Sequence, residues 1–239
     1  MSRNSSRKYR IDQNERMLIK KYFLLLYLIM ISLDIYGQIS KHYTLVWIFK
    51  ALHLPFLAYY FYTCRKSKLE ILDKLILLSI FIAFAGSWIA YLIIHDNLAF
   101  NILTAVTIIE GQINLFILSK ISKRVNVSSK NDIWSISLTL IIAIGFIYLT
   151  FPKFATLTQI LVLIAMIQLS LMCVYGFFRK EIHILISGSI ATIILCNILS
   201  VVGIFLVKIT YDYLWIMGLL YLSKYMFVEG ILKSKKLIY

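Results

Sequence analysis

Hydrophobic positions in this chain occur in long, nearly unbroken runs separated by short polar segments. A helix that spans a bilayer needs about 20 predominantly apolar residues, because hydrocarbon leaves backbone groups to be satisfied within the segment itself. Eight runs meet that length, and they are about twice as long as a strand of a membrane barrel. They cover residues 22–40, 43–64, 75–94, 98–119, 133–151, 154–178, 184–207 and 213–231. The pattern predicts an all-α integral membrane protein, a bundle of about eight transmembrane helices.

Basic residues are distributed unevenly among the segments that connect these runs. If the N-terminus lies in the cytoplasm, 20 of the 25 Lys and Arg residues fall on the cytoplasmic side. The external connections then carry Lys41, Lys153 and Lys208, and Lys50 and Lys224 fall inside helices. Short cytoplasmic loops of membrane proteins are enriched in Lys and Arg. The bias therefore predicts that both termini are cytoplasmic, and we expect the membrane to be a bacterial inner membrane.

The same division describes the domains and the partners. We expect a basic cytoplasmic arm over residues 1–21, a single transmembrane domain over residues 22–232 and a short basic tail over residues 233–239. The net charge of +14 then lies mainly on the cytoplasmic side, which favours contact with anionic lipid headgroups rather than with nucleic acid. Three cysteines without CxxC spacing give no sign of a metal site, and no cofactor is expected.

Function is expected where ionisable or polar side chains interrupt the apolar runs. A charge inside a membrane costs about 2.5 kcal/mol or more, so it normally faces a bundle interior or a wet cavity. The charged candidates are Asp34, Lys50, Glu110, Lys224 and Glu229. The uncharged candidates are His53, Ser87, Gln112, Asn114, Asn197 and Tyr221. Glu229 lies toward the cytoplasmic end of its segment. Six of the others have estimated depths that overlap between the outer half and the midplane, so that they could line one pocket: Asp34, Lys50, Ser87, Glu110, Asn197 and Lys224.

Each candidate also has a structural interpretation. Asp34 and Lys50 lie near enough to the outer interface to extend toward water. Glu110 and Lys224 are as consistent with a structural ion pair between two helices as with a substrate contact. His53 is more typical of a hydrogen-bonded packing residue than of a base or ligand. The sequence contains no GxGxxG, P-loop, GxSxG or HExxH motif, so the catalytic signatures of soluble enzymes are absent from it.

Short motifs on successive segments point to a family. They are Phe49–Pro55 in the second segment, Gly86–Ser87 in the third, Gly111–Gln112 in the fourth, Cys196–Asn197 in the seventh and Tyr221–Lys224 in the eighth. In this order the chain resembles the YhhN-like lysoplasmalogenase family of eight-helix membrane proteins. The family's corresponding motifs are Lys-Pro-Leu, Gly-Asp, Gly-His, Ser-Asp and a tyrosine-rich run with a glutamine.

The resemblance implies hydrolysis of the vinyl-ether bond of lysoplasmalogens, with release of an aldehyde and two membrane aspartates as acid and base. Ser87 and Asn197 occupy the aspartate positions here. Neither side chain transfers a proton at neutral pH or carries a negative charge. The expected catalytic replacements are Glu110, one residue before the family's histidine position, and Asp34 as a second carboxylate.

Three hypotheses follow. In the first, the protein binds a lysophospholipid-type amphiphile, with Lys50 and Lys224 at the phosphate and hydrogen bonds to the glycerol region from Tyr221, Gln112 and Asn197. It is then either a lysoplasmalogenase-like hydrolase or an inactive relative. In the second, it is a non-enzymatic transporter or receptor subunit in which the charges of the fourth and eighth segments form a gated pair. In the third, it is a structural membrane protein with no cavity connecting these residues.

Overall fold

The computed structural model describes residues 3–65, 69–92, 96–121, 155–177, 182–205 and 212–234, together with residues 137 and 144. Within these ranges the chain is helical and contains no strand. The helices are α1 (Arg3–Ile39), α2 (Tyr43–Arg65), α3 (Ile71–Leu92), α4 (Asp96–Ile121), α5 (Thr156–Phe177), α6 (Ile184–Phe205) and α7 (Asp212–Ser234). The prediction of an all-α protein is therefore confirmed.

Seven of the eight predicted segments correspond to these helices, and most ends agree within a few residues. The fifth predicted segment, residues 133–151, lies outside the described residues except for positions 137 and 144, which are helical. The largest difference is at α1, which begins at Arg3 rather than near residue 22. Helical backbone thus continues into the basic arm, because residues 3–21 contain neither proline nor glycine to end it.

Six of the helices contain stretches that are long and apolar enough to cross a membrane. These stretches are Lys21–Ile39, Tyr43–Arg65, Ile71–Ile89, Leu98–Ile121, Thr156–Phe177 and Leu214–Ser234. In α6 the apolar stretch is shorter and covers Ile184–Ser200. Lengths and compositions of this kind are those of an integral membrane protein.

The surface of α5 shows what this composition does to packing. Its exposed side chains include Leu157, Ile160, Ile164 and Ile167, which follow one another at helical spacing. The buried face carries polar Thr158 and Gln168 beside Val162, Met172, Cys173 and Gly176. An exposed row of leucine and isoleucine is unusual for a helix in water, whereas lipid solvates these side chains.

The chain divides into two compact units, residues 1–68 and 69–239. In the first unit α1 packs against α2, and the ring of Phe23 stacks on Tyr60 with a centroid distance of 3.9 Å. The turn is closed by hydrogen bonds from the Lys41 N–H to the Gln38 carbonyl (3.3 Å) and from the His42 N–H to the Gly37 carbonyl (2.8 Å). This is a Schellman motif, and Lys41 takes its left-handed position with φ of 59°.

In the second unit each helix from α3 to α7 packs against the next along the chain. Side chains also bond to backbone across these contacts, as when Ser187 on α6 donates to the Gly176 carbonyl on α5 at 2.5 Å. Close approach of backbones through small residues is the usual way that helices associate in lipid, where apolar burial alone gives no preference for a partner helix.

Candidate functional site

The centre of the second unit contains an ion pair between Glu110 on α4 and Lys224 on α7. The ammonium donates to Oε1 of the carboxylate. Glu110 is the thirteenth of 24 residues in its apolar stretch, and Lys224 is the eleventh of 21. Both charges therefore start from the middle of a helix that is long enough to span a membrane. Pairing them offsets part of the cost that either charge would impose alone.

Two uncharged side chains complete this cluster. Ser79 Oγ on α3 donates to Asn114 Oδ1 at 3.0 Å, with a longer contact of 3.5 Å to Glu110 Oε1. Asn114 Nδ2 donates to the same Oε1 at 3.4 Å from one turn along α4. Ser79 is the ninth of 19 residues in its own apolar stretch, so it reaches the carboxylate from the same depth. We call these four residues, Ser79, Glu110, Asn114 and Lys224, the central polar cluster.

Helix α5 supports the cluster from another side. Gln168 is 3% exposed and its Nε2 donates to the Ile108 carbonyl on α4 at 2.8 Å. Its amide also fills the space beside Gly111, where an added Cβ would lie 2.6 Å from the Gln168 Cδ. The glycine next to Glu110 is thus what allows α5 to approach α4 closely.

The backbones of Ser87 and Asn197 lie farther along their helices, away from the central polar cluster. Ser87 donates to the Phe84 carbonyl of its own helix at 2.8 Å, and it lies eight residues, or about 12 Å, beyond Ser79. On α6 the contacts Ser189–Ser223 and Cys196–Ile216 fix an antiparallel register with α7. That register places Gly188 level with Lys224 and puts the backbone of Asn197 about 14 Å away along the axis.

The remaining candidates of the second unit differ in burial. Tyr221 is 2% exposed and lies one turn before Lys224 on the same face of α7. Gln112, in contrast, is exposed on α4, between buried Gly111 and half-buried Ile113. Glu229 is buried near the end of α7 and contacts Lys233 of its own helix at 3.7 Å. That arrangement is an ordinary i,i+4 pair.

The first unit holds a separate set of buried polar groups. Asp34 on α1 and Lys50 and His53 on α2 are exposed by 0%, 5% and 1%. The negative charge of Asp34 attracts the ammonium group of Lys50, and that ammonium group repels positive charge on His53. His53 Nδ1 lies 3.2 Å from the Phe49 carbonyl, so this nitrogen carries the proton that is donated. None of the three is an exposed, snorkelling side chain within this hairpin.

The sequence did not single out Ser79, a member of the central polar cluster, or Gln168, which supports the cluster from α5. Serine is common in membrane helices, and Ser170 shows why it is uninformative, because its hydroxyl bonds back to Met166 of its own helix. Gln168 carried a clearer signal, since an amide within an apolar run needs a partner in hydrocarbon. Its spacing from other polar residues on α5 gave no indication of which helix would supply that partner.

Chemically, the central polar cluster is an electroneutral group of donors and acceptors enclosed by apolar helices. It offers a carboxylate for a cationic or hydroxylic group and an ammonium for an anionic one. Across the residues that the structure describes, no three His, Cys, Asp or Glu side chains are grouped so that they could hold a metal ion. No protein-family model matches this chain, and no curated protein and no solved structure matches it either.

Proposed function

We propose that this protein binds a lysolipid-type amphiphile inside the membrane, with Glu110 and Lys224 as the headgroup contacts. The observation that carries the proposal is the ion pair between these residues at the middle of two apolar helices. Intramembrane charges are expensive and commonly mark the path or binding site of a polar ligand. The resemblance to the lysoplasmalogenase family suggests the ligand class.

A zwitterionic headgroup suits this pair. Its phosphate would accept a hydrogen bond from Lys224, and its ammonium would lie against Glu110, so that the ligand adds two contacts to the internal ion pair. Hydrogen bonds between charged groups are roughly twice as strong as neutral ones. The side chains of Lys224 and Glu110 retain 12% and 8% of their accessible surface, which supports access by a ligand.

The finer features of the proposal concern the membrane. The bundle has eight helices, which are the seven described ones and the predicted segment at residues 133–151. Both termini lie in the cytoplasm, and the membrane is a bacterial inner membrane. The basic cytoplasmic segments contact anionic headgroups. These statements rest on the lengths of the apolar runs and on the distribution of Lys and Arg.

Binding is tested by native mass spectrometry of the purified protein, followed by titration with lysophosphatidylcholine in lipid nanodiscs. We expect a co-purified lysolipid in the wild type and at least tenfold weaker binding in the double variant Glu110→Gln/Lys224→Met. The double variant leaves no single charge stranded in the membrane, so its fold is retained more easily than that of either single variant. The matched control is Glu229→Gln, which removes a buried carboxylate that pairs within its own helix.

The same preparation tests hydrolysis. A lysoplasmalogenase-like enzyme releases an aldehyde from the vinyl-ether lipid, and Glu110→Gln is expected to abolish that release, since Glu110 is the proposed replacement for one of the two membrane carboxylates that this chemistry needs. If the double variant binds lysolipid as tightly as the wild type does, the proposal is contradicted.

The alternative function is a transporter with a gated Glu110–Lys224 pair. It is supported instead if lysolipid does not bind and reconstituted protein carries an ion flux that Glu110→Gln removes.

A further inference from the structure

The hydrogen bonds that Glu110 accepts all end on one of its two oxygens. Lys224 Nζ, Asn114 Nδ2 and the longer contact from Ser79 Oγ are directed at Oε1. A carboxylate has two oxygens, each able to accept about two hydrogen bonds. Among the residues that the structure describes, Oε2 therefore receives none of these bonds, although the side chain is only 8% exposed.

The ammonium group of Lys224 also has more hydrogen-bond donors than the described residues accept from. An ammonium group has three donors, and its hydrogen bond within the described residues takes one of them. Within the described part of the chain, an acceptor with unused capacity, Oε2, thus lies beside donors with unused capacity on Nζ. A hydroxyl group matches this pair, because it donates one hydrogen bond and accepts others through a single oxygen.

From this geometry we infer that Glu110 and Lys224 recognise a hydroxyl group of the ligand. The hydroxyl donates to Oε2 of Glu110 and accepts from Nζ of Lys224. This inference rests on the proposed function and deepens it. It states which two atoms distinguish amphiphiles that have a free hydroxyl beside the headgroup from amphiphiles that lack one. A buried site built for a hydroxyl rejects an analogue that lacks it, because the site's own polar groups are then left unpaired.

Ser79 and Asn114 are positioning residues in this arrangement. Ser79 donates to Asn114 Oδ1 at 3.0 Å, so the amide oxygen faces α3 and the amide nitrogen faces Glu110. That orientation keeps Oε1 occupied and leaves Oε2 for the ligand. Without the Ser79 hydroxyl, the Asn114 amide loses the contact that fixes which of its ends meets the carboxylate.

The test compares two probes on the full-length protein in nanodiscs, lysophosphatidylcholine and its deoxy analogue, in which hydrogen replaces the glycerol hydroxyl. For the wild type we expect the hydroxylated probe to bind about ten- to a hundredfold more tightly, the range typical of a hydrogen bond to a charged group. Glu110→Gln should bring this ratio close to one. Ser79→Ala should lower it, and Ser79→Thr, which keeps the hydroxyl, should retain it.

The ratio separates positioning from general structural damage. A purely structural role for Ser79 weakens both probes equally and leaves the ratio unchanged, which would overturn the positioning assignment. Ser170→Ala is the control, because that hydroxyl bonds within its own helix. Equal binding of the two probes by the wild type overturns the hydroxyl inference and leaves the proposed function standing. Failure of both probes to bind overturns both.

Discussion

Gly230 on α7 lies directly against the backbone of Ile186 on α6. A Cβ added to Gly230 would lie 2.9 Å from the Ile186 nitrogen and 2.6 Å from its Cγ1. A backbone atom cannot move aside without shifting its helix, so the absence of a side chain at Gly230 sets the distance between α6 and α7. The hydrogen bonds between Ser189 and Ser223, two turns nearer the centre, depend on that distance.

We therefore expect Gly230→Ala to destabilise the protein by about 1–3 kcal/mol, the usual cost of overpacking a well-packed interior. Thermal unfolding in detergent, followed by fluorescence-detected size exclusion, measures the effect. Gly188→Ala is the matched control on the same interface, because its Cβ would meet the terminal Cε of Met226, a flexible group that can turn away. Equal destabilisation by the two variants would contradict the special role of Gly230.

A second prediction concerns the stranding of one charge. Lys224→Met leaves Glu110 without its counter-ion in the membrane interior, and removing one partner of a buried pair typically costs about 3–5 kcal/mol. Glu110→Gln/Lys224→Met should recover much of that loss, because the remaining groups are neutral. Reversible unfolding in mixed micelles for both single variants, the double variant and the wild type gives the coupling free energy.

In the same assay Lys233→Met serves for comparison. Lys233 is 43% exposed and its pair with Glu229 lies within one helix, so we expect a loss of about 1 kcal/mol or less. If Lys224→Met were no more harmful than Lys233→Met, the central pair would contribute little to the fold, and its retention would have to be explained by ligand binding alone.

The sequence is informative about this pair for a simple physical reason. Opposite charges within apolar runs are so costly when separate that their positions in the sequence make Glu110 and Lys224 strong candidates for contact. The existence of the helices follows from run length in the same way. Ser79 could not be predicted, since a membrane serine satisfies its hydroxyl equally well on its own helix, and residue spacing does not report which neighbouring helix lies opposite.

The axial register and the rotation of the helices were also beyond the sequence. Counting residues from helix ends gave Ser87 and Asn197 depths that overlap that of the ion pair, whereas the contacts between helices put them about 12 and 14 Å farther along their axes. The exposure of Gln112, between buried Gly111 and the cluster residue Asn114, shows how much a rotation of about 100° per residue matters.

A third prediction concerns the turn of the first hairpin. Lys41 occupies the left-handed position of the Schellman motif, where a residue with a Cβ pays roughly 1–2 kcal/mol. Glycine carries no such penalty, although it loses more conformational entropy on folding. We expect Lys41→Gly to raise the unfolding free energy of the hairpin by up to about 1 kcal/mol. Lys41→Ala should give no gain, and proteolytic susceptibility of the α1–α2 turn in micelles provides the measurement.

The last prediction tests the contact between α4 and α5. Gln168 donates to the Ile108 carbonyl, but that carbonyl also accepts a bond within α4, so removal of the amide leaves no buried acceptor wholly unpaired. Gln168→Leu, which nearly preserves volume, should therefore cost only about 0.5–1.5 kcal/mol, the range of hydrogen bonds between membrane helices. Ser170→Ala on the same helix should cost less than this, because its hydroxyl bonds locally to Met166. Both are measured by thermal unfolding in detergent. A loss of several kcal/mol for Gln168→Leu would contradict this expectation and would mean that the amide holds α5 against Gly111 by shape as well as by its hydrogen bond.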